Sequence, residues 1–248
     1  MLADLGRFLQ ESWLNVLLVF IPVSLAMHWL HAPPAWTFLI TGLAIIPLAG
    51  LIGQATEAVA EHTGPGIGGL LNATFGNATE LIIALFALKA GLLSVVKASI
   101  SGSILGNLLL VLGLSMVFGG WNREKQRFNR TAAAASVSML LLAITALVMP
   151  ALWDLVVFQS LSRPHPTVER LSLFVSGVLL AIYLGSLFFS LVTHRELFAE
   201  VGCKPEQKPA YALASGLALL LIATILTAFE SEILVGVIDA AAQGLGMT

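Results

Sequence analysis

Leu70-Leu71-Asn72-Ala73-Thr74-Phe75-Gly76-Asn77-Ala78-Thr79-Glu80-Leu81-Ile82-Ile83-Ala84-Leu85-Phe86-Ala87-Leu88 holds one ionisable residue, Glu80, inside an apolar run about as long as the ~20 residues of a bilayer crossing. A carboxylate at that depth costs several kcal/mol unless it is protonated, paired or bound to a cation, which makes Glu80 a functional candidate. Asn77 lies three residues before it and shares its helix face, and Asn72 and Gly76 extend the stripe at a spacing of four. Thr79 adds a hydroxyl beside them. The face offers amide and carboxylate oxygens, and a glycine there lets backbone carbonyls approach.

Working outward, the rest of the chain has the same character. Of its 248 residues 58% are hydrophobic and 10% charged, and the mean hydropathy is +0.93. A soluble domain carries about 25% charged residues, so this chain cannot clothe itself in a water-facing shell. Ser12–Gln54, Ala98–Asn122, Thr131–Trp153, Leu171–Thr193 and Pro209–Phe229 contain no Asp, Glu, Lys or Arg. None shows the dyad alternation of a β-barrel strand. The fold class expected is all-α, a polytopic transmembrane helix bundle. Spans are predicted at 13–30, 36–58, 67–90, 93–118, 131–158, 171–193 and 210–237. The third is Gly-rich at its start (Gly64-Pro65-Gly66-Ile67-Gly68-Gly69) and has Gly76 near its middle, the pattern of a broken or tightly packed helix.

Arg7, Arg123, Lys125, Arg127, Arg130, Arg195, Lys204 and Lys208 fall on one side of such a bundle; Lys89, Lys97, Arg163 and Arg170 fall on the other. The bias places the N-terminus in the cytoplasm. Trp13–Leu30 is a retained first helix rather than a cleaved signal, since Pro33-Pro34 follow the small-residue site at Ala32. The short tail before Trp13 fits a bacterial inner-membrane protein. The single cysteine, Cys203, excludes an internal disulfide.

An internal repeat is also legible. Glu57-Ala58-Val59-Ala60-Glu61-His62-Thr63-Gly64 and Asp239-Ala240-Ala241-Ala242-Gln243-Gly244-Leu245-Gly246 both read acid-Ala-x-Ala-x-x-x-Gly at an offset of 182, and Leu39-Ile40 match Leu221-Ile222 in that register. The copies close the second and seventh spans. Five helices separate their starting points, and an odd number inverts the second copy in the membrane, as in transporters built from inverted repeats. The organisation expected is a single membrane domain over 1–248: a leading helix (13–30), a first repeat of five helices (36–193), and the start of a second repeat (210–248). The offset carries Asn77 and Glu80 to positions near 259 and 262, so the chain is expected to be cut before its second motif.

Calcium takes 6–8 hard oxygen ligands, more than one helix supplies. The fourth span adds Ser99, Ser103 and Asn107 at spacings of four, beside a Gly102–Gly106 packing pair. No His or Cys lies at the centre of either span, which argues against zinc or copper. Each residue also has a plainer reading. A lone membrane glutamate serves in places as a structural hydrogen-bonding group, and serine stripes glue helices together. Glu57 and Asp239, near the ends of their spans, read as vestibule or pathway acids rather than direct ligands. Glu230 and Glu232, in the last span, are weaker candidates for pathway acids than Glu57 and Asp239. Glu61-His62 lacks a metal-site spacing and fits a loop.

The stretch Gly68–Ile82 closely resembles the first signature of the calcium/proton exchanger family, and Val96–Leu109 is similar to that family's following helix. The resemblance covers nearly the whole chain. It implies an eleven-helix fold, one leading helix plus two inverted five-helix repeats, in which the glutamates of two Gly-Asn-Ala-x-Glu motifs alternate between calcium and protons. Carried over, Glu80 is the exchange carboxylate, with Asn77 and Asn107 beside it. The function implied is antiport of Ca2+, or a related divalent cation, against H+, without a cofactor, an enzymatic reaction or a nucleic-acid partner. The second signature is absent. The linker His194–Lys208 balances Glu196, Glu200 and Glu206 against three basic residues, so it lacks the strongly acidic helix of many relatives. A missing C-terminal half or a homo-oligomer would complete the site. The alternatives are a sodium- or potassium-coupled exchanger and a non-transporting truncated subunit.

Overall fold

The computed structural model describes residues 12–125, 128–158, 166–198 and 210–244, together with Gly6 and Gly246. Arg7, Arg127, Arg163, Cys203, Lys204 and Lys208 lie outside the described residues. Those described are almost all helical, with no strand among them. The helices are α1 (Trp13–Trp29), α2 (Pro34–Gly64), α3 (Gly66–Phe75), α4 (Ala78–Lys89), α5 (Leu93–Gly120), α6 (Arg130–Phe158), α7 (Pro166–Thr193), α8 (Arg195–Phe198) and α9 (Leu213–Gly244). Five of them, α2, α5, α6, α7 and α9, are long and apolar enough to cross a membrane. The pair α3–α4, bent by 43°, makes a sixth crossing, and α1 is apolar but shorter. All seven predicted spans thus have a helical counterpart.

The chain forms two compact units. The first holds Met1–Glu124 and Gln207–Thr248. In it α1 opens as a 3-10 turn, where the Ser12 side chain accepts from the Leu14 N–H at 3.3 Å. Pro34 starts α2, where its missing N–H costs nothing. The break after α2 is set by Gly64 at φ +80°, a conformation other residues resist. Antiparallel packing of α9 on α2 forms the core. Leu51, Ile52, Ala55 and Ala58 meet Leu219, Leu220 and Ala223, and Ala78 of α4 joins them. A Cβ on Gly216 would come within 3.1 Å of Val59 and 3.4 Å of Ala58, so the glycine is what lets the two backbones approach. At one end of this pair the Ala210 N–H donates to Glu61 Oε2 (3.2 Å). At the other, Pro34 and Val237 line one cavity.

The second unit spans Lys125–Glu206. Asn129 caps α6 by accepting from the N–H groups of Thr131 (3.0 Å) and Ala132 (3.1 Å), and its amide donates to the Leu197 carbonyl of α8 at 2.7 Å. Pro150 sits inside α6, which closes in a wide π turn at Asp154–Phe158.

Some boundaries differ from the sequence expectation. Glu61 and His62 are helical rather than in a loop, because α2 runs on to Gly64. α9 continues to Gly244, so Asp239 stands within it. In both cases the Ala-rich stretch past the apolar run propagates the helix, and Gly64 breaks it after α2.

Candidate functional site

The third crossing is broken where its sequence is richest in polar groups. α3 ends at Phe75, Gly76 and Asn77 form the junction, and Asn77 (φ −110°, ψ 8°) is the residue from which α4 starts. The Asn77 amide donates back to the Ala73 carbonyl at 3.3 Å. Glu80 therefore lies in the first turn of α4, where N–H groups lack intrahelical partners and the helix dipole favours negative charge. The last carbonyls of α3 end at the same junction. A broken helix in this style presents both donors and acceptors at membrane depth.

Ser103 of α5 reaches this turn: its hydroxyl donates to Glu80 Oε1 at 2.7 Å. The two residues that sequence spacing placed on separate spans are thus brought together. Glu80, Asn77 and Asn72 are exposed on the described chain and Thr79 is half-buried. Asn72 supports the break through its backbone, whose carbonyl accepts from the Gly76 N–H at 3.0 Å. Asn107 falls in a π turn, Gly106–Val111, so four-residue spacing from Ser103 no longer fixes its face, and no hydrogen bond joins it to Glu80. Glu57 on α2 and Asp239 on α9 are exposed and stand on other helices. Among the described residues no three His, Cys, Asp or Glu side chains converge on one point. The oxygens gathered here are one carboxylate, one hydroxyl, nearby amides and the carbonyls of the helix break. That donor set suits a hard cation or a proton.

One acid outside the candidate set is the most deeply buried. Glu230 of α9 is 1% exposed, and both its oxygens lie 2.7 Å from the Ser24 hydroxyl of α1. A signal for it exists in the sequence: Ser215, Leu219, Ala223, Thr227 and Ser231 recur every four residues, and Glu230 borders that stripe. Glu232 lies off it and is exposed.

The family profile of the sodium/calcium exchanger proteins matches residues 33–192. The chain belongs to that family. It is 45% identical over 248 residues to a Ca(2+)/H(+) antiporter of Aphanothece halophytica, covering 94% of this chain and 65% of the relative. It is 43% identical over 251 residues to a Ca(2+)/H(+) antiporter of Synechocystis, covering 94% and 66%. Among solved structures, native YfkE superposes with a TM-score of 0.75 at 34% identity, over 94% of this chain and 64% of YfkE. The chain thus spans about two thirds of the length of each relative it matches. Within this exchanger family it is a multi-pass integral membrane protein, as its apolar helices require.

Proposed function

We infer that the chain carries the Glu80 half of a site at which Ca2+, or a related divalent cation, and H+ compete for one carboxylate during antiport. The observation that carries this is the Ser103–Glu80 hydrogen bond of 2.7 Å at a helix break, in a chain whose relatives are named Ca(2+)/H(+) antiporters. A carboxylate with a hydroxyl partner and open amides around it can shed its hydration for a cation or accept a proton, and cannot hold both. That exclusion couples the two fluxes when the site faces the two sides of the membrane in turn.

In this reading Glu80 exchanges the ions and Ser103 orients its carboxylate. Asn77, Asn107 and Thr79 supply further oxygens at the ion site, and Asn72 lines the approach. Glu57 and Asp239 stand as pathway acids. The remaining oxygens of a six- to eight-fold calcium shell come from an inverted counterpart of the motif. The protein is a transporter rather than an enzyme, needs no cofactor, and sits in a bacterial inner membrane with its N-terminus in the cytoplasm.

The test uses everted membrane vesicles holding the complete gene product. Glu80→Gln is expected to abolish Ca2+-induced dissipation of the proton gradient while leaving the amount of inserted protein unchanged. Retained proton-driven Ca2+ uptake in that variant would sink the proposal. The family's name favours one second reading, sodium as the counter-ion; Ca2+ uptake that follows a sodium gradient and ignores a proton gradient would select it.

A further inference from the structure

The geometry points to Glu230 as a second proton-binding carboxyl, loaded from the cavity at the α1–α2 turn. The site is built from three helices. Ser24 of α1, Glu230 of α9, and Thr41, Thr227 and Ser231 are each within 1% of complete burial. Thr227 and Ser231 share the buried face of α9 with Glu230. Thr41 belongs here by register: the antiparallel pairing that sets Ala55 against Gly216 sets Thr41 against Glu230.

Counting protons shows what the arrangement can hold. Ser24 has one hydroxyl proton, and its oxygen lies 2.8 Å from the Ile21 carbonyl and 2.7 Å from both Glu230 oxygens. With a proton on the carboxyl, Glu230 donates to Ser24 and Ser24 donates to Ile21, so every group is satisfied. Without it, two carboxylate oxygens share one donor in a dry interior, and a buried charge so poorly partnered is strongly unfavourable. No basic group offers relief among the described residues. α1 brings only His28; α2 carries no charged residue before Glu57; on α4, Glu80 and Lys89 are exposed, as are Glu232 and Asp239 on α9 itself. Meanwhile the hydroxyls of Thr41, Thr227 and Ser231 are buried with no partner. Buried hydroxyls without a partner are costly, and water entering beside them would satisfy them.

A cavity lies about one helical turn from the site on both α1 and α2. A cavity of about 570 Å³ opens at the α1–α2 turn, walled by His28, His31, Pro34, Thr37 and Val237 among others. His28 lies one turn beyond Ser24, and Thr37 lies one turn before Thr41. Each step is about 5 Å along its helix. Imidazole nitrogens both donate and accept hydrogen bonds, which suits the mouth of such a path. Glu230 and Glu80 stand on different helices with different hydrogen-bond partners, Ser24 and Ser103. The inference rests on the antiport reading only for what a proton held at Glu230 is used for.

Carbodiimide labelling tests it without requiring transport, because the reagent modifies protonated carboxyls in apolar surroundings. On the purified full-length protein at pH 6, mass spectrometry is expected to find Glu230 modified. The modification should decline several-fold by pH 9 and fall when Ala32→Trp fills the cavity. An unmodified Glu230 at pH 6, or labelling indifferent to both pH and Ala32→Trp, would overturn the proposal. In vesicles, Glu230→Gln keeps the hydrogen bond to Ser24 and hence the packing, so a purely structural role predicts an unchanged pH profile. The proposal predicts a flattened dependence of flux on pH at the α1–α2 side, with Ca2+ affinity retained. If Glu80→Gln leaves transport intact but Glu230 labels as expected, the antiport reading fails and the proton site stands.

Discussion

At Gly76 an added Cβ would stand 2.6 Å from the Asn72 carbonyl oxygen, closer than real Cβ atoms come, and this fixes what the junction can be. The chain must turn tightly there for Asn77 to begin α4 and for Glu80 to fall in its first turn. Ser103 then has one task that its neighbours do not share, donating to Glu80 Oε1. Ser103→Ala removes that donor. A hydrogen bond to a charged group is worth about 1.5–3 kcal/mol, and Glu80's exposure lowers the loss to about 1 kcal/mol. Apparent Ca2+ affinity is therefore expected to fall roughly five- to tenfold, whereas Ser103→Thr, which keeps the hydroxyl, stays within about twofold. Initial rates of uptake against Ca2+ concentration measure both; an alanine variant with unchanged affinity would show that the hydroxyl merely fills space.

At the scale of elements, the α2–α9 pair shows what the membrane does to packing logic. Lipid is as apolar as leucine, so helices associate through close contact of small residues rather than by expelling water. Gly216 against Ala55, Ala58 and Val59 is that contact. Gly216→Val forces Val59 aside in a packed seam, at a cost of about 1–3 kcal/mol. The expected result is a lower midpoint in a detergent thermal-shift assay, with Gly216→Ala falling between Gly216→Val and the parent; equal midpoints would mean the seam is loose. The spans themselves were legible, because long charge-free runs have few other outcomes, and the Gly-rich third span declared its own break. Glu230 was only half legible: the small-residue stripe of α9 marks its face, but its partner Ser24 lies 206 residues away in sequence. The π turn at Gly106 was not legible, and it changes the meaning of the Ser103–Asn107 spacing. Periodicity predicts which face a residue takes on a regular helix, and it fails where the winding changes.

Across the molecule, the offset of 182 read from two Ala-rich motifs links α2 to α9, the two helices that form the core. It carries Ala55 to Val237 and Pro34 to Gly216. Ala55 and Gly216 touch at one end of the α2–α9 pair, and Pro34 and Val237 share a cavity wall at the other. Both contacts follow from one antiparallel register of α2 against α9, the register that an inverted repeat would require. The same pairing constrains orientation. Glu61 and Ala210 must lie on one side of the membrane, and His31 and Val237 on the other. On the proposed orientation, N-terminus inside, the first side would be cytoplasmic and the cavity lined by His28 and Val237 would open outward, where an inward proton gradient would load it. The arrangement is checked with single cysteines at exposed positions on a Cys203→Ser background. Ala90→Cys, at the end of α4, is expected to react with an impermeant maleimide in intact cells. Glu124→Cys, beyond α5, is expected to react only in everted vesicles. The reverse pattern would invert the protein and turn the Glu230 cavity toward the cytoplasm, where it would serve proton release instead of proton entry.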